Sequence, residues 1–219
     1  GFSVVALYYY LKVLKAIFVS EENGALDEKP VDLASGAVVL MLALLTVSLA
    51  WLPTYYSEVH EMSLAKAGAL MGIVSLSGVI TLIVASLAAT RVERRRPFLV
   101  TPGIIVGFAG FGTFLLADSA AVYLAVVALG FATWFYVPVL VTIPMELYPA
   151  DSSRVAVIFA VIMTLGGIVN FIGPLVVGAV ADLTGSFVPG LALFAVLAWG
   201  LGVVGFLLPE TGVADRERG

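Results

Sequence analysis

VAVIFAVIMTLGGIVNFIGPLVVGAVA, running from Val155 to Ala181, contains no Asp, Glu, Lys or Arg. The stretch exceeds the roughly 20 apolar residues that a helix needs to cross a bilayer. Its apolar residues are continuous and do not alternate, which excludes the short strands of a membrane barrel. In hydrocarbon only helices and closed barrels satisfy every backbone N–H and C=O, so the segment is predicted to be a transmembrane helix. Six further stretches repeat the pattern: Phe2 to Val19, Leu33 to Tyr56, Ala65 to Ala89, Phe98 to Ala117, Val122 to Met145 and Gly190 to Leu208. The fold class is an all-α membrane protein of about seven transmembrane helices.

Composition agrees with the pattern. The chain has 219 residues, 61% hydrophobic and 12% charged, about half the roughly 25% charge of a soluble domain. A soluble fold of this size has too little interior for so much apolar surface. Its expected partner is the lipid bilayer. Nucleic acid is not an expected partner, because the formal net charge is −4. Cysteine is absent and His60 is the single histidine, which excludes a disulfide framework, a thiol nucleophile and a multi-histidine metal or haem site. No cofactor is expected. HExxH, a P-loop and paired intramembrane aspartates are all missing, and no enzyme is expected. Gly1 in place of Met makes the chain read as a piece of a longer protein.

Charge in the connections predicts orientation. Lys29, Arg91, Arg94, Arg95, Arg96, Arg154, Arg216 and Arg218 fall on one side of the membrane if the spans alternate, and the other side holds only Lys66. Positive residues mark the cytoplasmic side, which puts the C-terminus in the cytoplasm and Gly1 outside. Lys12 and Lys15 fall in the cytoplasmic half of the first span, where long stems snorkel to the interface. Trp51, Tyr55 and Tyr56 are placed as an aromatic belt at the outer end of the second span. Glu58, His60, Glu61, Asp118 and Asp182 map to the outer connections, His60 as part of a solvated loop.

No ionisable residue lies deep within the last six spans, so a proton relay through them is not expected. Small residues and helix breakers carry what remains. Gly68, Gly72, Ser75 and Val79 form a small-residue stripe of the kind that lets helices approach closely. Gly166, Asn170, Pro174 and Gly178 recur every four residues on one face, and interruptions at membrane depth tend to occur where backbone lines a cavity or is covered by protein. Asn170 reads either as helix glue or as a substrate contact. Trp134, Pro138 and Thr142 share a face of the fifth span, with lipid-facing aromatics as the plain alternative. On the cytoplasmic side, RVERRR at 91–96 follows a span directly. MELYPADSSR at 145–154 places Glu146 and Arg154 on either side of a Pro149 turn, spaced to pair across it as a conformational latch.

These residues resemble the major facilitator superfamily, in its C-terminal six-helix half, from about Asp32 to Gly212. The 86–95 connection is similar to a degenerate copy of the family's loop motif: Arg91, Arg94 and Arg95 match, while Ser86, Thr90 and Glu93 replace a Gly, the Asp and a second Gly. The charge-relay role of that Asp is not carried over. Glu146, Pro149 and Arg154 match a second connection, as do Gly173, Pro174, Gly178, Asp182, Gly185 and the closing PETG at 209–212. The resemblance implies a major-facilitator-type half bundle at 32–212, an extra span and linker at 1–31, and a cytoplasmic tail at 213–219. It implies alternating-access secondary transport of a small-molecule substrate, with a missing N-terminal six-helix half as partner, in a bacterial inner membrane. Ser48, Trp134, Tyr136, Thr142 and Asn170 become cavity candidates, Arg91, Arg94, Arg95, Glu146, Pro149 and Arg154 gating-loop residues, and Gly173, Pro174 and Gly178 a helix break. AWLPTYYSE at 50–58 is similar to bacterial organic-anion or cyanate-type permeases. VALYYYLKVLKAIFVSEE at 5–22 resembles instead the antiporter-like subunit N of respiratory complex I. A fragment of that proton pump, or a non-transporting scaffold, is the alternative function.

Overall fold

The structure, a computed structural model, describes residues 29–92, 96–148, 150 and 152–207. The predicted first span with Lys12 and Lys15, the loop residues Arg94, Arg95 and Pro149, and the PETG stretch lie outside the described residues. The described residues form α-helices and no strand. In order these are α1 (Lys29–Glu58), α2 (Leu64–Ala89), α3 (Arg96–Leu115), α4 (Ala121–Phe135), α5 (Val137–Leu147), α6 (Ser152–Thr184), α7 (Val188–Ala198) and α8 (Gly200–Leu207). Among the described residues, four stretches are long and apolar enough to cross a membrane: Leu64–Ala89, Arg96–Leu115, Ala121–Met145 and Val155–Thr184. Helix α1, with 30 residues, rises about 45 Å, more than the hydrocarbon thickness of about 30 Å.

Two predicted spans are interrupted. Between α4 and α5 the helix breaks at Tyr136, whose N–H bonds the carbonyl of Trp134. Pro138 lies two residues on, and a proline removes one donor and crowds the carbonyl four residues back. Between α7 and α8 the break falls at Trp199, where Gly200 and Gly202 weaken the helix. By contrast α6 runs from Ser152 to Thr184 through Gly173, Pro174 and Gly178. The expected helix break at these three residues is therefore absent.

Packing divides the bundle into a core and two flanks. Helix α1 packs on α6, α7 and α8; α3 packs on α4, α7 and α8; α2 packs chiefly on α4. The core joins all of these, with Leu44, Val47, Leu52, Tyr56, Leu70, Val106, Val126, Leu129, Tyr136, Ile162 and Leu191 buried. The flanks are far more open. Within the most apolar stretch of each span, 17% of α6 and 33% of α2 is buried, against 56% of α3. Helices α3 and α8 approach closely, and a Cβ on Gly103 would run into the backbone of Gly202.

The predicted small-residue stripe makes no close contact among the described residues. Nothing lies within 4 Å of a Cβ added at Gly68 or Gly72, and Ser75 and Val79 are exposed. The close α2–α4 contact uses the neighbouring face instead: Gly78 lies under the Trp134 ring, and Gly130 against Ser77 and the Val74 carbonyl.

Replacing Gly103 with Ala is expected to cost about 1–3 kcal/mol by overpacking, read as a lower thermal-unfolding midpoint in detergent. Gly72→Ala, with open space around it, does not lower the midpoint.

Candidate functional site

The conspicuous face of α6 packs against α1, one contact per turn. Thr46 Oγ1 donates to Asn170 Oδ1 at 2.8 Å. Val47 covers Gly173, where an added Cβ would come within 3.0 Å of it. Trp51 Nε1 donates to the Pro174 carbonyl at 2.8 Å, and its ring lies on Gly178, where a Cβ would be 2.9 Å away. Phe187 stacks at a tilt on the same ring, 5.2 Å between centroids. The four-residue spacing of Asn170, Pro174 and Gly178 thus matches a complementary row on α1. Small residues admit the indole, and its N–H satisfies a carbonyl beside the proline. Thr46, unmarked in the sequence, is the partner that a lone hydroxyl on an apolar helix does not advertise.

A second set of polar ties joins α1 to the end of α3. The last carbonyls of a helix have no intrahelical partner. Tyr56 donates its hydroxyl to the Thr113 carbonyl at 2.6 Å, and Tyr55 to the Phe114 carbonyl at 3.3 Å. Both rings are buried, Tyr56 at 0% exposure and Tyr55 at 5%. The expected aromatic belt is corrected here: these tyrosines cap α3 inside the bundle. His60, expected in a solvated loop, is also largely covered and holds Asp118 of the α3–α4 turn.

The five cavity candidates are not gathered into one constellation by any hydrogen bond or ring contact between them among the described residues. Ser48 and Tyr136 are buried, at 2% and 1% exposure. Trp134 is half-buried against Gly78 of α2. Thr142, also half-buried, donates to the Val139 carbonyl of its own helix at 3.1 Å. Asn170 is half-buried beside Thr46. Arg91 is exposed. Glu146 lies in the last turn of α5 and Arg154 in the first turn of α6, and their pairing lies outside the described residues. Among the described residues no cluster of His, Cys, Asp and Glu suits a metal ion.

The family model of the Major Facilitator Superfamily matches residues 13–174, well over half of the chain. No curated protein and no solved structure matches. The family match begins inside the 5–22 stretch, whose resemblance to subunit N of complex I receives no support.

Trp51→Phe removes the donor to Pro174 together with the indole atoms that cover Gly178. The expected loss is at least about 1 kcal/mol, measured as a lower midpoint of unfolding in detergent.

Proposed function

The chain belongs to the major facilitator superfamily, a family of membrane transporters and not of enzymes, and from that premise we propose that it forms the C-terminal half of a secondary transporter for a small organic anion. The family match over residues 13–174 carries the proposal. In it, residues 32–212 are one six-helix bundle, residues 1–31 a preceding span and linker, and residues 213–219 a cytoplasmic tail. A second six-helix half lies against α2 and α6. The openness of these two flanks supports that placement, as do Gly68, Gly72 and Gly167, around which an added Cβ meets nothing within 4 Å. Such small residues are what a close helix neighbour requires.

The solute site lies between the halves, with Trp134, Thr142 and Asn170 contributed from this one, while Ser48 and Tyr136 lie inside the bundle behind it. With Oδ1 taken by Thr46, the Asn170 carboxamide has its two Nδ2 hydrogens left to donate, a match for an acceptor-rich anion. Transport requires that the solute favour different states unequally. The connections holding Arg91, Arg94, Arg95, Glu146, Pro149 and Arg154 are where those states differ. An exposed pair such as Glu146 with Arg154 is worth about 0–1 kcal/mol, weak enough to be remade in each cycle. The described spans hold no carboxylate at mid-depth, and a coupling proton is then bound by the other half or carried with the solute. The positive residues clustered in alternate connections support a cytoplasmic C-terminus, and the membrane in this reading is a bacterial inner membrane.

Reconstituted alone in liposomes, the 219-residue chain is expected to take up none of a panel of radiolabelled small organic acids and cyanate, and a version extended upstream of Gly1 by a second half to take them up. Uptake by the chain alone overturns the half-transporter reading. In the extended protein, Trp134→Phe and Asn170→Ala are expected to lower uptake at least about tenfold, the equivalent of roughly 1.4 kcal/mol, with expression retained. Unchanged uptake in both variants favours a scaffold.

A further inference from the structure

The connection after α1 holds the chain's single histidine in a built environment. His60 Nδ1 lies 2.6 Å from Asp118 Oδ1, in the turn just past the end of α3. The imidazole side chain is 14% exposed and the carboxylate 79%. Tyr55 packs edge-on against the imidazole at 5.0 Å, with its own hydroxyl on the Phe114 carbonyl. On the other side of the ring, Nε2 is buried without a hydrogen-bond partner. Facing a carboxylate, Nδ1 carries the proton as donor, and Nε2 is the ring nitrogen without a partner.

We propose that His60 and Asp118 form a proton-sensitive clasp between the end of α1 and the α3–α4 turn, tightened when the imidazole is protonated. With a neutral ring the contact is one hydrogen bond to a carboxylate that water also reaches. With a charged ring it becomes an ion pair with a charge-assisted bond, roughly twice as strong. The C-terminal end of α3 adds to this preference, since the negative end of a helix favours a cation. The attraction is therefore present in mildly acidic solution, while the carboxylate remains ionised, and is lost as pH rises and the imidazole gives up its proton.

The surroundings leave Asp118 as the carboxylate in contact. From α1 the imidazole meets Tyr55. Glu58 and Glu61 flank it in its own segment, both exposed, and Lys66 in the first turn of α2 is exposed too. The α6–α7 connection contributes Phe187 against Tyr55, with Asp182 exposed near the end of α6. The segment is held by a tight backbone arrangement. Glu61 has φ 51°, the one non-glycine at positive φ among the described residues, and the following Met62 N–H returns to the Tyr56 carbonyl at 3.0 Å. A non-glycine residue in that region costs energy and persists where its surroundings enforce it. Release of the clasp frees this turn to relax.

The chain has no cysteine, so spin labels go onto Val59→Cys and Ala120→Cys, both exposed positions on either side of the clasp. Electron–electron distances are measured in the full chain in nanodiscs at about pH 5.5 and about pH 8, either side of ordinary imidazole titration. One narrow, short distance is expected at the acidic pH and a broader, longer distribution at the alkaline pH. His60→Gln, which keeps a neutral donor, and Asp118→Asn are expected to show the alkaline distribution at both. Coincident distributions in the unsubstituted chain overturn the clasp without recourse to any variant. A pH response that survives in either variant overturns it as well.

Discussion

Hydrocarbon offers no water to an unpaired backbone group, and this constraint organises the bundle more than any single apolar contact does. Helices meet it along their lengths, but not at their ends or beside a proline. Helix α1 supplies donors both within α6 and at the end of α3. Trp51 reaches the Pro174 carbonyl, and Tyr55 and Tyr56 reach the final carbonyls of α3. Thr46 adds a tie to Asn170, and His60, just beyond the helix, one to Asp118. The comparable tie not made by α1 is Trp199 Nε1 to the Ile104 carbonyl at 3.1 Å, which secures α8 on α3 where their glycines meet.

This arrangement makes α1 the central element through which α3 and α6 are positioned. Helix α6 continues through Pro174, whereas α4 and α5 are separated near Pro138. Beside Pro174 the indole of Trp51 bonds the proline's own carbonyl, and Gly178 makes room for the ring. At Pro138 the carbonyl of Trp134 is taken by the Tyr136 N–H, a tighter local turn that ends the helix. Two prolines with the same intrinsic effect thus have different outcomes.

The predicted spans from Leu33 onward were legible because each is a local property: an apolar run long enough to cross lipid. The site was legible in part. The periodic face of Asn170, Pro174 and Gly178 was visible as spacing, and it does form a contact surface, with α1. Its partners Thr46 and Trp51 were not, because a four-residue repeat names a face without naming what covers it. Tyr55 and Tyr56 were misplaced for a related reason. Tyrosine near a span end suits an interface or a buried acceptor equally well, and the acceptors, on Thr113 and Phe114, lie far along the chain. The Gly68 and Gly72 stripe and Gly78 look alike in sequence, yet Gly78 is covered by this bundle and the other two are open.

By itself the sequence determined that the chain is a helical membrane protein, where most spans fall, and which connections carry the positive charge, because backbone satisfaction in lipid and the cost of buried charge are read residue by residue along the chain. Only the tertiary structure decided that α6 stays continuous, that two tyrosines cap α3, that His60 is held by Asp118 and that the other described residues leave α2 and α6 open. Each of these depends on a donor meeting an acceptor, or a ring meeting a glycine, across helices distant in sequence, and no periodicity within one helix specifies the face of another.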